Sequence, residues 1–236
     1  MTDEDKKTSL IRSFGRRKNK SLKKTHADTL AEVLSFAGIR LPEGDDVLDP
    51  KSFFDFDAKE VWFEIGFGRG EHLIHQALNN PDVGLIGCEP FLNGVSALAL
   101  EIKKHNIKNI RIWDDDARLL MSRIKDHSLD KLFLLHPDPW PKTRHHKRRF
   151  VQAESLTEIS RLLKKGAEFR MATDHADLSK WMLEKAYFHP NFEWKAKCAN
   201  DWRTAPDDWI DTRYCNKGKD WEHTQVYLNF ENISLI

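Results

Sequence analysis

Cysteine is scarce. Cys88, Cys198 and Cys215 are the only three in 236 residues, too few to pair evenly and spaced unlike any zinc motif. A disulfide scaffold and a structural zinc site are therefore excluded, no metal is expected, and a reducing compartment is. No apolar run approaches the roughly 18 residues of a membrane helix. No apolar stretch follows Met1-Thr-Asp-Glu-Asp-Lys-Lys7 as it would in a secretory signal. The expectation is a cytoplasmic protein without a membrane partner. Eleven histidines include no His-Glu-x-x-His pair and read mainly as surface and loop residues. Internal repeats and low-complexity runs are also lacking. What remains, 40% hydrophobic residues over this length, suffices for one well-packed domain and is short for two.

The basic residues are the first positive feature. The net charge is only +1, but it is unevenly spread. Residues 1–25 hold nine Lys/Arg against three acids, and Lys142–Arg149 hold five with two histidines and no acid. Blocks of one sign suggest an anionic partner met at particular places. A solvated tail accounts equally for the first block, which is polar enough to be flexible when alone. The chain thus divides into a basic N-terminal arm, 1–25, and a single domain, 26–236.

Leu30, Val33, Leu34 and Ala37 recur at helical spacing within 26–38, with Gly38 as terminator. From Val61 strands and helices alternate. Strands are expected at 60–65, 83–88, 110–113, 132–135 and 169–172. Helices are expected at 70–77, 92–105, 117–125, 150–164 (closed by Gly166) and 177–187. Two more strands, 192–196 and 225–230, follow without a long helix between them. Five βα units make a doubly wound α/β sheet, mostly parallel with an antiparallel last strand.

Gly66-Phe-Gly68-Arg-Gly70 falls between the first strand and its helix. Glycines there allow a tight turn and close backbone approach to a ligand, although strand-to-helix turns use glycine anyway. The third glycine follows the second by two residues, unlike the dinucleotide G-x-G-x-x-G, and no P-loop lysine follows. Glu64 opens the turn; its carboxylate opposes a pyrophosphate and suits a cationic amino-acid end. Glu89 ends the second strand, where an acid accepts ribose hydroxyls. Asp114, Asp115 and Asp116 follow the third. Asp116, beside Ala117, is the choice for an adenine amine, and a helix N-cap is another use of the same run. Acids at the ends of successive strands describe a nucleoside with a cationic tail better than a dinucleotide.

After the fourth strand, His136-Pro-Asp-Pro-Trp-Pro141 sets three prolines around Asp138 and Trp140, a rigid loop that runs into five basic residues. Asp138 lies at the carboxyl end of the strand, where open sheets place reacting groups. Trp140 reads either as a platform for a base or as loop packing. With this loop the chain resembles the bacterial tRNA (guanine-N7-)-methyltransferase family. The resemblance runs from Ile11-Arg-Ser-Phe-Gly-Arg-Arg17 through Glu64–Gly70, Pro137-Asp-Pro-Trp140, Lys147-Arg-Arg-Phe150 and Ala172-Thr-Asp174 to Thr212-Arg-Tyr214. It implies a class I methyltransferase domain that uses S-adenosyl-L-methionine. The target implied is N7 of the variable-loop guanine, position 46, of tRNA, and the enzyme would be a monomer or homodimer.

The resemblance also implies roles. Glu64, Gly66, Gly68, Gly70, Glu89, Asp116 and Asp138 would line the S-adenosylmethionine site. Lys142, Asp174, Thr212, Arg213, Tyr214 and Cys215 would meet the substrate, and Arg144, His145, His146, Lys147, Arg148 and Arg149 would touch RNA. Two positions depart from the family pattern. Cys215 stands where glutamate is usual, which puts that contact in doubt, and His136 stands where many members have Phe. Guanine N7 carries a lone pair and no proton, so no general base is needed. Asp138 is accordingly assigned positioning and electrostatics. Asp174 would accept from the guanine edge, or else cap the next helix. The stacked base must be flipped or locally opened. A small-molecule methyltransferase would leave the basic blocks unexplained, and a non-catalytic RNA-binding module would leave the acids unexplained.

Overall fold

Strands covered on both faces must be apolar throughout, and Val83-Gly-Leu-Ile-Gly-Cys88 is buried at all six positions. In the computed structural model, which describes Arg17, residues 21–211 and residues 224–234, it is the second of seven strands. These are β1 Glu60–Ile65, β2 Val83–Cys88, β3 Ile110–Trp113, β4 Leu129–Leu135, β5 Leu163–Thr173, β6 Phe192–Trp194 and β7 Val226–Asn232, in the order β3-β2-β1-β4-β5-β7-β6. β1 to β5 are parallel; β7 runs antiparallel to both β5 and β6. The helices are α1 Lys24–Ala37, α2 Glu71–Asn79, α3 Leu92–His105, α4 Ala117–Met121, α5 Ala153–Leu162, α6 Ala176–Tyr187 and α7 Asn200–Arg203.

The two-residue period of the strands sorts the core into two layers. Leu30 and Val33 of α1, Leu73 of α2 and Val95, Leu98 and Ile102 of α3 pack with Trp62, Phe133 and Ala172 on one face. Leu120 of α4, Leu156 and Ile159 of α5 and Leu178 and Met182 of α6 pack with Phe63, Leu132 and Phe169 on the other. The strand order reverses between β1 and β4, whose carboxyl ends open the crevice where such sheets bind ligands.

Several boundaries differ from the sequence expectation: β4 starts at Leu129 rather than 132 and β5 at Leu163 rather than 169, and two helices are shorter than expected. The helix expected at 150–164 is Ala153–Leu162, and Leu163 already pairs with Leu129. Its end is closed from 70 residues away: the buried Asn232 amide donates to the carbonyls of Ser160 (3.0 Å) and Leu163 (2.8 Å). Gly166, expected as its terminator, lies inside β5 with φ +80°. The helix expected at 117–125 stops at Met121, because Arg161 takes the Met121 and Ile124 carbonyls (2.9 Å each) and Lys125 N–H donates to Leu48 (3.0 Å). The four-residue α7 was not expected.

Candidate active site

The glycine turn after β1 is left-handed three times, with φ of 72° at Gly66, 60° at Gly68 and 84° at Gly70, which explains the residue choice. It is also crowded. α3 crosses so closely that a Cβ on Gly94 would lie 2.0 Å from the Gly68 carbonyl oxygen. Glu89, at the end of β2, holds the turn from below: Gly68 N–H donates to its Oε2 and Phe91 N–H to its Oε1, both at 2.9 Å. Glu89 is 8% exposed. Burial pushes its carboxyl up, the two amides pull it down, and the charges of Asp138 and Glu64 push it up again; the net direction is up.

Glu64 points to the face covered by α2, as the alternation from Trp62 requires, and is 3% exposed. Its Oε2 lies 2.8 Å from His72 Nδ1. The three aspartates after β3 have separate partners. Asp114 faces Arg40 at 3.6 Å and Asp115 pairs with Arg17 at 2.6 Å. Asp116 caps α4, accepting from Arg118 N–H at 3.0 Å and from the Arg118 guanidinium at 2.7 and 2.9 Å. Burial pushes the Asp116 carboxyl up, but Arg118 and Arg17 outweigh it and hold it below its ordinary value. The cap reading of that run therefore holds, and Asp116 also lines the cavity described next.

A cavity of about 1150 Å³ opens at the crevice. Glu64, Glu89, Asp116, Asp138, Trp140 and Arg148 all face it, so residues expected apart in sequence share one space. It exceeds the roughly 300–1000 Å³ of ordinary small-molecule sites and has room for a nucleoside-sized ligand beside a second planar group. Asp138 is exposed at its wall, yet protein surrounds it at longer range, and that burial pushes its carboxyl up.

The loop carrying Asp138 is strained and pinned. His136 and Trp140 adopt left-handed φ of 50° and 40°, a conformation bulky residues hold only when neighbours impose it. Arg149 is the neighbour. It is 2% exposed, donates to Pro139 O at 3.0 Å, pairs with Asp177 and lies 5.0 Å over the Trp181 ring. This departs from the expectation that the whole basic run faces RNA: one arginine is turned inward to hold the loop. Lys142, Arg144 and Lys147 are exposed on and beside a 3-10 turn at Thr143–Arg148, while His145, His146 and Arg148 are half-buried. Arg148 sits 4.9 Å over the Trp140 ring.

Asp174 follows β5, with Oδ1 4.0 Å from His136 Nδ1. Burial pushes the His136 imidazole down, against the opposing pull of Asp174. The cap of α6 is His175, whose Nδ1 accepts from Leu178 N–H at 3.3 Å, and not Asp174. Thr212, Arg213, Tyr214 and Cys215 lie outside the described residues. Sequence reasoning missed His72, which lines the cavity beside Glu64, and Gln76, Asp208 and Trp209, which lie behind it. Only the i, i+4 spacing of His72 and Gln76 on α2 gave any signal.

The sequence model of a family described as "Putative methyltransferase" matches residues 58–226. The chain is 45% identical over 222 residues to a tRNA (guanine-N(7)-)-methyltransferase of Roseobacter denitrificans, covering 92% of this chain and 94% of that one. It is 40% identical to the tRNA (guanine-N(7)-)-methyltransferase of Agrobacterium fabrum, covering 98% and 99%. In fold it resembles the aminoglycoside resistance methyltransferase NpmB1, with a TM-score of 0.53 at 17% identity over 75% of this chain and 89% of that one. It also resembles a precorrin-6y C5,15-methyltransferase of Geobacter metallireducens, with a TM-score of 0.52 at 15% identity over 92% of each chain.

Proposed function

Because the chain belongs to the tRNA (guanine-N7-)-methyltransferase family, we propose that it transfers the methyl group of S-adenosyl-L-methionine to N7 of guanine 46, in the variable loop of tRNA. One observation carries the reading. A cavity walled by Glu64, Glu89 and Asp138 is shared with Trp140 and Arg148, where an exposed basic segment arrives.

The residues fit this donor by charge. Glu64 and Asp138 each push the Glu89 carboxyl up, and a ligand carrying a sulfonium and an ammonium relieves that repulsion. Bound, S-adenosylmethionine supplies a methyl group on positively charged sulfur, open to attack by a lone pair. Glu64 holds the ammonium end, Glu89 accepts from the ribose hydroxyls, and Asp116 accepts from the adenine amine on Oδ2, the oxygen that takes one N–H of Arg118 where Oδ1 takes two. Guanine N7 gives its lone pair directly, so no side chain needs to remove a proton. As the methyl carbon passed to N7 its bond to sulfur would break, the electron pair returning to a neutral thioether; the positive charge would move to the ring, where Asp138 would stabilise it. Trp140, backed by Arg148, offers a stacking face for a base drawn out of the RNA. Asp174 accepts from the guanine edge beside His136, and Lys142 with residues 212–215 completes the substrate contacts. Incubating the protein with unmodified tRNA and mapping the methylated nucleotide tests the proposal; methyl groups on another atom or nucleotide overturn it.

Acid should weaken donor binding early. Glu89 and Asp138 sit above their ordinary values. In the empty protein the stability they contribute is fully present below the unfolded value and lost as pH rises through the folded one. A cationic ligand prefers the ionised carboxylates, so its affinity falls as pH drops through those raised values, above the usual range near ~4. Calorimetry with S-adenosylhomocysteine, which keeps the ammonium, should show the dissociation constant weakening severalfold while the pH is still above the ordinary carboxylate value of ~4. An affinity that stays flat down to the ordinary carboxylate range counts against Glu89 and Asp138 as donor ligands.

The exposed cations should act on RNA alone. Together with the basic arm, 1–25, Lys142, Arg144 and Lys147 would neutralise phosphates and release counterions. Arg144→Ala should flatten the log–log dependence of tRNA affinity on salt by about 0.7–0.9 and leave S-adenosylhomocysteine binding unchanged. An unaltered salt slope removes Arg144 from the interface.

A further inference from the structure

Behind Glu64 a line of polar groups runs through the face covered by α2. His72 Nδ1 is 2.8 Å from Glu64 Oε2, and Gln76 Nε2 is 3.2 Å from His72 Nε2. The same Gln76 nitrogen donates to the Asp208 carbonyl at 3.1 Å, and Asp208 Oδ1 pairs with Arg170 Nη1 at 2.6 Å. Glu64, His72 and Gln76 are each 3% exposed or less. The imidazole is walled by the Phe133 ring at 4.8 Å and the Trp209 ring at 6.2 Å.

Donor and acceptor counting fixes how this line must be wired. The Gln76 amide is oriented at both ends: its nitrogen faces the Asp208 carbonyl and its oxygen faces the Asn80 amide at 3.4 Å. Nε2 of His72 therefore meets an N–H and has to accept. The ring proton then sits on Nδ1, where it donates to Glu64. A proton on Nε2 would set it against the Gln76 N–H, donor to donor, and leave the bare Nδ1 facing the Glu64 carboxylate, and turning the amide over would set its oxygen against the Asp208 carbonyl. Glu64 is thus held through one oxygen, Oε2. Its Oε1 has no hydrogen-bond partner among the described residues.

We propose that His72 and Gln76 are positioning residues for the methyl donor: Gln76, anchored on Asp208, sets the His72 tautomer, and His72 orients the Glu64 carboxylate towards the donor's ammonium. The proposal rests on the reading of Glu64 given above. Neither side chain touches the reacting atoms. Asp208 lies four residues before Thr212 in the sequence, so the anchor of this line belongs to the chain segment that leads into the expected substrate contacts.

The test exploits the shapes of two amides. Asparagine at 72 can present an N–H near the position of Nδ1, whereas glutamine places its amide near Nε2 and fills more of the imidazole volume. Dissociation constants for S-adenosylhomocysteine are measured by calorimetry on the full chain, after thermal unfolding has shown both variants folded. His72→Gln should weaken binding about tenfold or more, the scale of a lost charge-assisted hydrogen bond. His72→Asn should stay within about threefold. The loss in His72→Gln should fall on the donor's KM, with kcat on tRNA little changed. A purely packing role predicts the opposite order, and His72→Gln binding as well as His72→Asn overturns the proposal. Should neither variant fold, nitrogen-15 shifts of His72 in the unaltered protein decide: a proton on Nδ1 supports the wiring, and one on Nε2 overturns it. Failure of the unaltered protein to bind S-adenosylhomocysteine would instead refute the donor reading itself.

Discussion

Asp138→Ala should lower kcat/KM for tRNA methylation by about 10²–10³-fold while leaving the thermal midpoint close to that of the unaltered protein. Three features set the size. The carboxylate stands at the wall of the shared cavity, facing the same space as Glu64, Glu89 and Trp140. The loop beneath it is held rigid by Arg149, which fixes the Pro139 carbonyl and pairs with Asp177. A charge fixed in place before the reaction is worth more than one that must reorganise as the guanine ring becomes cationic. Stability changes little because the side chain is exposed and its removal opens no hole in the core. Asp138→Asn separates the two parts of the role: it keeps the shape and an acceptor oxygen but not the charge. Electrostatics predicts that it behaves nearly like the alanine. Normal RNA methylation by Asp138→Ala would end the assignment.

Gly94→Ala should be nearly as damaging without touching a charged group. The added carbon would lie 2.0 Å from a backbone oxygen, that of Gly68, which no rotamer change can relieve. α3 cannot retreat cheaply, because Val95, Leu98, Ala99 and Ile102 are buried to within 1%. If the turn yields instead, the Gly68 N–H leaves Glu89 and the cradle loses its shape. We expect about 3 kcal/mol of destabilisation, the upper range for overpacking. S-adenosylhomocysteine binding should weaken by more than about a hundredfold, or roughly 2.7 kcal/mol. Gly166→Ala is the control. Its backbone is left-handed, unlike that of the helical Gly94, but a Cβ there meets nothing within 4 Å, so it should cost about 1 kcal/mol and leave binding alone. Gly94→Ala binding within about threefold of the unaltered protein would show that the close approach is dispensable.

Much of this was legible in the sequence because two strong local rules coincide. Apolar runs bounded by glycines and acids marked β1 to β5, and ligand-binding groups gather at the carboxyl ends of such strands. Glu64, Glu89, Asp116 and Asp138 stand at those ends. What escaped depends on partners distant in sequence. Arg149 looks like its basic neighbours, and only Asp177 and Trp181, on α6, turn it inward. Leu162 and Leu163 suit a helix or a strand equally, and the choice is made by Asn232, which comes from the last strand of the chain and is distant only in sequence. His72 reads as one more helical histidine until the turn folds Glu64 back over it.

The sheet is assembled out of the order in which its strands are made. β7 lies between β5 and β6, so a ribosome delivers β6 before the strand that joins it to the rest. Until Val226–Asn232 emerges, β6 has no neighbour to pair with and the β5 edge stands open. Such an edge is a template for any stray strand. Completion then waits on a late, long-range insertion of the kind that slows folding. The same insertion delivers Asn232 to the end of α5, so one event during synthesis both zips the sheet and locks the helix beside it.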